Sequence, residues 1–141
     1  MVDLTDKIIA EDIATLRQAY QLRQREYEAL RAAGEWAGAF MHAGILLELA
    51  LKIAICKNMD VAHLPKVFQV HDLKLLLYSS GLKNTFLNNA KLYQNFRKVA
   101  TDWSIDLRYK GLVVSAQDAD TFHQALFHSS DGVLTFLSSF L

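Results

Sequence analysis

The sequence has few of the residues that interrupt or cross-link a chain. Among 141 residues there are one cysteine, one proline and six glycines. A single cysteine excludes an intramolecular disulfide, so a secreted fold stabilised by disulfides is not expected. The scarcity of proline and glycine, together with 52% hydrophobic residues, predicts an all-α globular protein. The length corresponds to one domain, which we assign to residues 1–141.

The chain also lacks an excess of charge of either sign, because 15 basic residues are matched by 15 acidic ones. No overall positive field attracts it to nucleic acid, so any such partner must bind a local patch. Residues 83–110 have a local net charge of +4, from six basic and two acidic residues, whereas residues 111–141 carry −3. One interpretation is two solvated faces of opposite charge, and the alternative is a surface around residues 83–110 that binds anions.

Sequence motifs for targeting, catalysis and metal binding are absent as well. The first residues, MVDLTDKIIAEDIATL, lack the basic start and apolar run of a signal peptide, so a cytoplasmic location is expected. The motifs HExxH, GxSxG, GxxxxGK[ST] and GxGxxG do not occur. No two of the five histidines are four residues apart, so we expect no metal site and no cofactor. Cys56 lies in an apolar segment and is interpreted as a small buried hydrophobic residue.

The most apolar segment, WAGAFMHAGILLELALKIAICK at residues 36–57, predicts a helix at the centre of the fold. Such a helix would be about 33 Å long, enough to cross a membrane. Glu48 and Lys52 fall in its middle, where charges are costly in lipid, so we expect no membrane. Buried charges need partners. Glu48 can pair with Lys52 one turn later, and Arg108 is the best candidate for a second partner, unless these groups face a ligand.

Four further helices are predicted around this central one. Residues 5–33 have helical periodicity, and Gly34 ends the pattern, so the first two helices should form an antiparallel hairpin. A loop containing Pro65 follows, and Asp72 then caps a short helix that ends near Gly81.

The second half of the chain predicts two more long helices. One covers residues 84–103. After the loop SIDLRYKGLVV, Ser115 and Asp118 resemble a capping box at the start of a last helix. That helix runs to the C-terminus, with Gly132 as its one weak point.

Several of these features occur together in one known family. Their order is a long first helix, the segment ILLELALKIAI with Glu48 and Lys52, a proline-containing loop, His71-Asp72-Leu73, and LRY before the last helix. In this order and spacing the chain resembles the HEPN family, a name that stands for higher eukaryotes and prokaryotes nucleotide-binding. The resemblance covers almost the whole chain. It implies an up-and-down bundle of four long helices with a short extra helix, and commonly a homodimer.

The family contains two kinds of member, and the residues here favour one of them. Members that cleave RNA carry an arginine, a polar residue and a histidine a few positions further on, and no arginine of this chain has a histidine at that spacing. In the other branch the corresponding loop contains RYP and an acidic residue, and Arg108 and Tyr109 match the first two letters. Relatives occur beside minimal nucleotidyltransferases and in toxin–antitoxin systems.

The resemblance therefore implies a noncatalytic domain that binds a nucleotide, RNA or another phosphate-bearing ligand, or that supports a protein partner such as a nucleotidyltransferase. We expect the ligand site to be lined by Lys52, His71, Arg108 and Tyr109, with Glu48 orienting the basic groups.

Two alternatives from other functional classes stay open. The first is an RNA-cleaving toxin with an unusual site, in which His123 or His128 approaches Arg97 or Arg108 across a dimer. The second is a structural module for protein interactions, which the apolar C-terminal segment VLTFLSSFL would favour if it is exposed.

Overall fold

The computed structural model describes residues 11–141, which are mostly helical. In chain order the α-helices are α1 (Ile13–Ala32), α2 (Trp36–Met59), α3 (Leu73–Ser79), α4 (Lys83–Leu87), α5 (Ala90–Asp102), α6 (Ala116–Phe127) and α7 (Val133–Leu137). Short 3₁₀ helices occur at Lys66–Phe68, Ile105–Tyr109 and Ser138–Phe140. No strand is present in residues 11–141, so the predicted all-α class is confirmed. The part of the predicted first helix before Glu11, including Ile9, lies outside the described residues.

Helices α1 and α2 form the antiparallel hairpin that the sequence predicts. The Asp12 carboxylate caps α1 by accepting the Thr15 N–H at 2.6 Å. Gly34, with φ of +73°, makes the turn between the two helices. At the other end the Ile13 N–H donates to the Ala62 carbonyl, which follows α2, at 2.8 Å. The start of α1 therefore lies beside the end of α2.

Helix α2 is the centre of the core, because residues on all of its sides are buried. Leu46, Leu47, Leu51, Ile53 and Ile55 are completely buried. The helix contacts α1, α3, α6 and α7 and the 3₁₀ helices at 105–109 and 138–140. An 18-residue window of this helix has a mean hydropathy of 1.8, which would also suit a membrane span, but 78% of that window is buried inside the fold. A buried core helix has the same composition, so these properties alone do not indicate a membrane.

A close contact between Gly44 and Trp103 attaches the end of α5 to α2. A Cβ atom at Gly44 would lie 2.0 Å from Cε2 of the Trp103 indole, so only glycine leaves room for the ring. The indole Nε1 donates to the Met41 carbonyl at 3.2 Å. Both sides of this contact are buried. The 3₁₀ helix Ile105–Tyr109 begins two residues after this tryptophan.

Two helices that the sequence predicts as continuous are interrupted. The one predicted at residues 84–103 is divided into α4 and α5, and the Asn89 side chain caps α5 by accepting the Leu92 N–H at 3.2 Å. The predicted last helix is broken after Phe127, where His128 Nδ1 accepts the Ser130 N–H at 3.2 Å. In both places a side chain bonds to the nearby backbone and replaces a helical hydrogen bond. The up-and-down arrangement of four long helices stays a prediction.

The two helix starts that were predicted from capping residues are confirmed. Asp72 accepts the Leu75 N–H at 3.1 Å and begins α3. Ser115 and Asp118 form a reciprocal capping box at the start of α6, with bonds of 3.0 and 3.4 Å.

A polar contact also joins α1 to α6. The Tyr27 hydroxyl lies 2.9 Å from His123 Nδ1, and both rings stack with Phe127. Burial, and then the positive charge of Arg31, lower the pKa of His123, while Asp120 opposes the shift. The neutral imidazole can accept a hydrogen bond from the Tyr27 hydroxyl at Nδ1.

The contact at Gly44 predicts a large loss of stability on a small substitution. Gly44→Ala should reduce the free energy of unfolding by about 3 kcal/mol, because the rigid indole cannot move away from the new methyl group. Urea unfolding measures the difference. Gly111→Ala is the matched control, since a Cβ there meets no atom within 4 Å, and it should unfold like the wild type. Equal effects of the two substitutions would contradict the contact.

The environment of His123 predicts an acid sensitivity. Because its pKa is lowered in the folded state, protons bind the unfolded chain more readily, so stability falls as pH drops below about 6.5. His123→Phe should flatten the dependence of the urea midpoint on pH between about pH 7.5 and pH 5. His63→Gln, at an exposed histidine, should retain the wild-type slope. A His123→Phe variant with the wild-type slope would contradict the assignment.

Candidate functional site

The charges predicted in the middle of α2 are buried and paired. Lys52 and Glu48 lie one turn apart, with Lys52 Nζ 3.4 Å from Glu48 Oε2. A second carboxylate, that of Glu11, approaches the same ammonium group at 3.3 Å. Only 2% of Lys52 and 6% of Glu48 is exposed. The lysine is therefore neutralised from inside the protein, by two carboxylates.

His71 completes this network at the surface. Its Nδ1 lies 2.8 Å from Glu48 Oε1, so each oxygen of the Glu48 carboxylate has a basic neighbour. The side chain of His71 is 52% exposed. An imidazole that donates its Nδ1 proton to a carboxylate leaves Nε2 available to water or a ligand. His71 precedes Asp72, so the cap of α3 also determines where the ring lies.

The expectation that Arg108 pairs with Glu48 is wrong. Within residues 11–141 no ion pair joins the two, and the Arg108 guanidinium lies instead 4.7 Å from the centre of the Tyr109 ring. Lys52 is the predicted partner one turn away on the same helix, and His71 takes the position of second partner that was predicted for Arg108. Arg108 and Tyr109 form a separate, exposed pair on the 3₁₀ helix Ile105–Tyr109, and Tyr109 is 76% exposed.

The structure therefore brings together three of the five residues predicted for the site, namely Glu48, Lys52 and His71. Whether any of the five binds a ligand stays a prediction. Sequence reasoning missed Glu11, which the Leu64 N–H holds beside the end of α2 by donating to the Glu11 carbonyl at 2.7 Å. The sequence signal for a second carboxylate was Lys52 itself, because a buried ammonium group can donate to more than one carboxylate.

A cleft of about 380 Å³ opens beside His71, between the start of α3 and the end of α5. Its polar lining has both signs of charge: Asp72, Lys74, Ser104 and Asp106 accompany His71. The positive charges thus face carboxylates of the same cleft. This balance gives the cleft no general preference for an anion.

A surface rich in basic side chains lies on the neighbouring helices. Residues 73–101, which form α3, α4 and all of α5 except its last residue, Asp102, contain five basic residues and no acidic one. We call these five the basic face: Lys74, Lys83, Lys91, Arg97 and Lys98. All are exposed, and none takes part in an ion pair with another described residue. In a chain of zero net charge, this is a strong local excess of positive charge.

Two tyrosines stand among these cations. Lys83 Nζ lies 4.4 Å from the centre of the Tyr78 ring, and the Arg97 guanidinium lies 6.0 Å from that of Tyr93. The neighbouring Tyr78 hydroxyl raises the pKa of Tyr93, whereas the charges of Arg97 and Lys74 lower it. Tyr78 is 49% exposed, so its ring surface is open to solvent.

Grooves run along α5 beside the basic face. One of about 400 Å³ is lined by Lys91, Arg97 and Lys98 together with amide and hydroxyl groups and a single acidic residue, Asp102. A second, of about 290 Å³, contains His128 beside Lys91 and Lys98, with Asp120 opposite. The sequence indicated an anion-binding surface as an alternative for residues 83–110 but missed Lys74 on α3, because the helices meet only in the fold.

We also searched the described residues for side chains that could bind a metal ion. Within residues 11–141 no three histidine, cysteine or acidic side chains are grouped so that they could hold a metal ion. The thiol of Cys56 is buried, which raises its pKa and reduces its reactivity.

No protein-family model matches the chain, and comparisons with curated proteins and with solved structures found no match either. The resemblance to the HEPN family thus depends on the residues quoted above and stays a prediction.

The buried network predicts a strong effect of removing its central cation. Lys52→Met should reduce the free energy of unfolding by about 3 kcal/mol, because it leaves the buried Glu48 carboxylate beside that of Glu11 without the ammonium group. Adding Glu48→Gln should restore part of that loss. Urea unfolding measures both variants.

Lys57→Met is the matched control, since Lys57 is an exposed lysine on the same helix. It should change stability by no more than about 0.5 kcal/mol. If Lys52→Met proves as mild as this control, the network does not contribute to the stability of the fold.

Proposed function

We propose that this chain is a noncatalytic HEPN-like helical domain that binds a phosphate-bearing ligand of the nucleotide or RNA class through its basic face. The observation that supports the proposal most directly is the set of five exposed cations on α3, α4 and α5, with no carboxylate in residues 73–101.

The cations of the basic face have no acidic residues between them in the sequence. Solvated helices commonly alternate basic and acidic residues, and the opposite charges then reduce each other's field. Within residues 73–101 no carboxylate alternates with the cations, and each groove along α5 contains a single acidic residue, Asp102 in one and Asp120 in the other. A phosphate ligand would displace counterions from these cations, and the release of those ions favours binding.

The tyrosines add a second kind of contact. Bases of a single strand stack on exposed aromatic rings, and this is independent of base identity because each base has a flat face. Tyr78 and Tyr93 lie beside Lys83 and Arg97, so one ring and one cation are available to one nucleotide unit. The combination favours a single-stranded or mononucleotide ligand over a rigid duplex.

In this proposal the network around Lys52 stabilises the fold and does not bind the ligand. Its ammonium group is compensated by Glu11 and Glu48, so little positive charge is left for a ligand. We propose that Glu48 instead anchors His71 and, through it, the start of α3, which carries Lys74 and Tyr78. In this proposal the ligand binds the basic face rather than the site predicted around Lys52, and α3 connects the two.

Three further features that the resemblance to the HEPN family implies are also part of this proposal. They are an up-and-down bundle of four long helices, a homodimer, and a partner such as a nucleotidyltransferase. The antiparallel pair α1 and α2, and the contacts of α5 with α6, are consistent with such a bundle.

Binding of a short fluorescent single-stranded RNA, followed by anisotropy at several salt concentrations, tests the proposal. The triple variant Lys74→Gln/Lys83→Gln/Arg97→Gln should bind more weakly and reduce the slope of log K against log salt by about 2, at roughly 0.7 per phosphate contact. Tyr78→Leu should weaken binding by about 1 kcal/mol or more without changing the salt slope.

The matched control removes three exposed cations outside the basic face, Arg25→Gln/Lys57→Gln/Lys66→Gln, and should bind like the wild type. Equal losses of RNA affinity in both triple variants would mean that binding depends on the net charge of the protein and not on the basic face. Loss of binding in Arg108→Ala alone would move the site to the Arg108 and Tyr109 pair. Cleavage of the RNA probe on a gel would replace this proposal by the ribonuclease alternative, for which His128 beside Lys91 is the first residue to substitute.

A further inference from the structure

The groove between α5 and α6 contains groups that the binding of a phosphate alone does not require. On α5 it is lined by Lys91, Asn95 and Lys98, which share one face of the helix because they are four and three residues apart. On α6 it is lined by Asp120 and His128, among others. Two cations and a carboxylate therefore line the same groove, which suits a ligand that both donates and accepts hydrogen bonds.

Asn95 lies deep in this groove, since only 7% of it is exposed. Its Nδ2 donates to the Asp131 carbonyl at 2.9 Å, and this bond determines which end of the amide is the oxygen. No group within residues 11–141 donates to Asn95 Oδ1, and this atom is not enclosed by the protein. A buried side chain with an open acceptor needs a donor from the solvent or from a ligand.

Asp120 supplies a second acceptor in the same groove. Its side chain is 61% exposed, and the Nη2 atom of Arg31, on α1, lies 3.8 Å from its Oδ1. This contact is too long for a hydrogen bond, so both carboxylate oxygens can accept donors from a ligand. A carboxylate repels a phosphate but accepts hydrogen bonds from hydroxyl groups. Dinucleotide-binding folds use an acidic residue in this way, to bind the ribose of the ligand.

The other polar groups of the groove suit a phosphate that is attached to such a sugar. Lys91 and Lys98 belong to the basic face, and they are about 10 Å apart along the axis of α5. His128 Nδ1 accepts the Ser130 N–H, so the proton of the neutral ring lies on Nε2, which is then a donor. Donors for a phosphate and acceptors for hydroxyls thus line one groove.

We propose that the groove between α5 and α6 binds a terminal ribose, whose free 2′- and 3′-hydroxyls donate to Asp120 and to Asn95 Oδ1, while Lys91 and Lys98 bind the phosphate on its 5′ side. This inference rests on the proposed function and narrows its ligand to a ribonucleotide with a free diol, either a mononucleotide or the 3′ end of an RNA strand. DNA lacks the 2′-hydroxyl, and an internal ribose has no free 3′-hydroxyl.

The test uses short single-stranded RNAs of one sequence, labelled at the 5′ end and followed by anisotropy. Replacing the last ribose by 2′,3′-dideoxyribose should weaken binding at least about tenfold, because the acceptors of the groove lose their donors while the charge of the RNA is unchanged. A single 2′-deoxyribose at an internal position should leave the affinity unchanged. Displacement of the RNA by AMP, but not by 2′,3′-dideoxy-AMP, would show that a mononucleotide suffices. If AMP does not displace an RNA whose binding depends on its last ribose, the ligand is the 3′ end of a strand.

Asp120→Ala separates a role in binding the ribose from a general effect of charge. It should reduce the preference for the intact ribose to about threefold or less, since Asn95 Oδ1 is then the one acceptor left. The same variant should bind the dideoxy RNA more tightly than the wild type does, because a carboxylate that repels phosphate is removed. Asp102→Ala is the matched control, at the acidic residue of the other groove, and should retain the full preference.

Two results would overturn the inference and leave the proposed function in place. One is equal binding of the intact and dideoxy RNAs by the wild type, while the triple variant of the basic face still weakens both. The other is a preference for the intact ribose that Asp120→Ala retains as fully as Asp102→Ala does. Absence of binding by every RNA and by AMP would overturn the proposed function and this inference together.

Discussion

A helix that is apolar on every side is stable in water only when other parts of the chain cover all of its faces, and α2 imposes this requirement here. The chain meets it with elements of very different length. A long helix, α1, covers one side, while α3, α6, α7 and two 3₁₀ helices cover the others. Short helices are long enough to cover α2 because each of them buries only a few side chains against it. After the interruption at Phe127 the chain continues in α7, which contacts the central helix as α6 does.

The same requirement explains how the polar residues are distributed. Charges on α2 itself must be compensated inside the fold, and Lys52 is enclosed by Glu11 and Glu48. Charges on the outer helices have no such constraint, and those of α3, α4 and α5 are left without partners among the described residues. The first group therefore contributes to the architecture, whereas the second is available to a ligand. This division is why the function proposed for the chain is located on the surface of the outer helices rather than at the buried network.

Sequence reasoning identified what is determined locally. Periodicity located α1, the apolar segment at residues 36–57 located α2, and the caps at Asp72 and Ser115 were found because a capping residue and the N–H it accepts are three positions apart. The breaks at Asn89 and His128 were missed, since a side-chain bond to the backbone competes closely with a helical one, and packing decides between them. The neighbours of Lys52 and the juxtaposition of Lys74 with Arg97 depend on tertiary contacts. Arg108 was predicted as a partner of Glu48 because its planar guanidinium suits a carboxylate, but the distance between the two residues depends on the fold.

The chain contains two tryptophans, and their environments differ. Trp103 is 4% exposed and lies against Gly44 with its indole N–H bonded to Met41, whereas Trp36 is half-buried at the start of α2. Because indole emission moves to longer wavelength in water, Trp103 is an intrinsic optical reporter of whether α5 is attached to α2. Replacing Trp36 by phenylalanine would leave a single emitter at the junction between the central helix and the helix with most of the basic face. Undocking of that helix would then be visible as a red shift while the far-ultraviolet signal of the helices is retained.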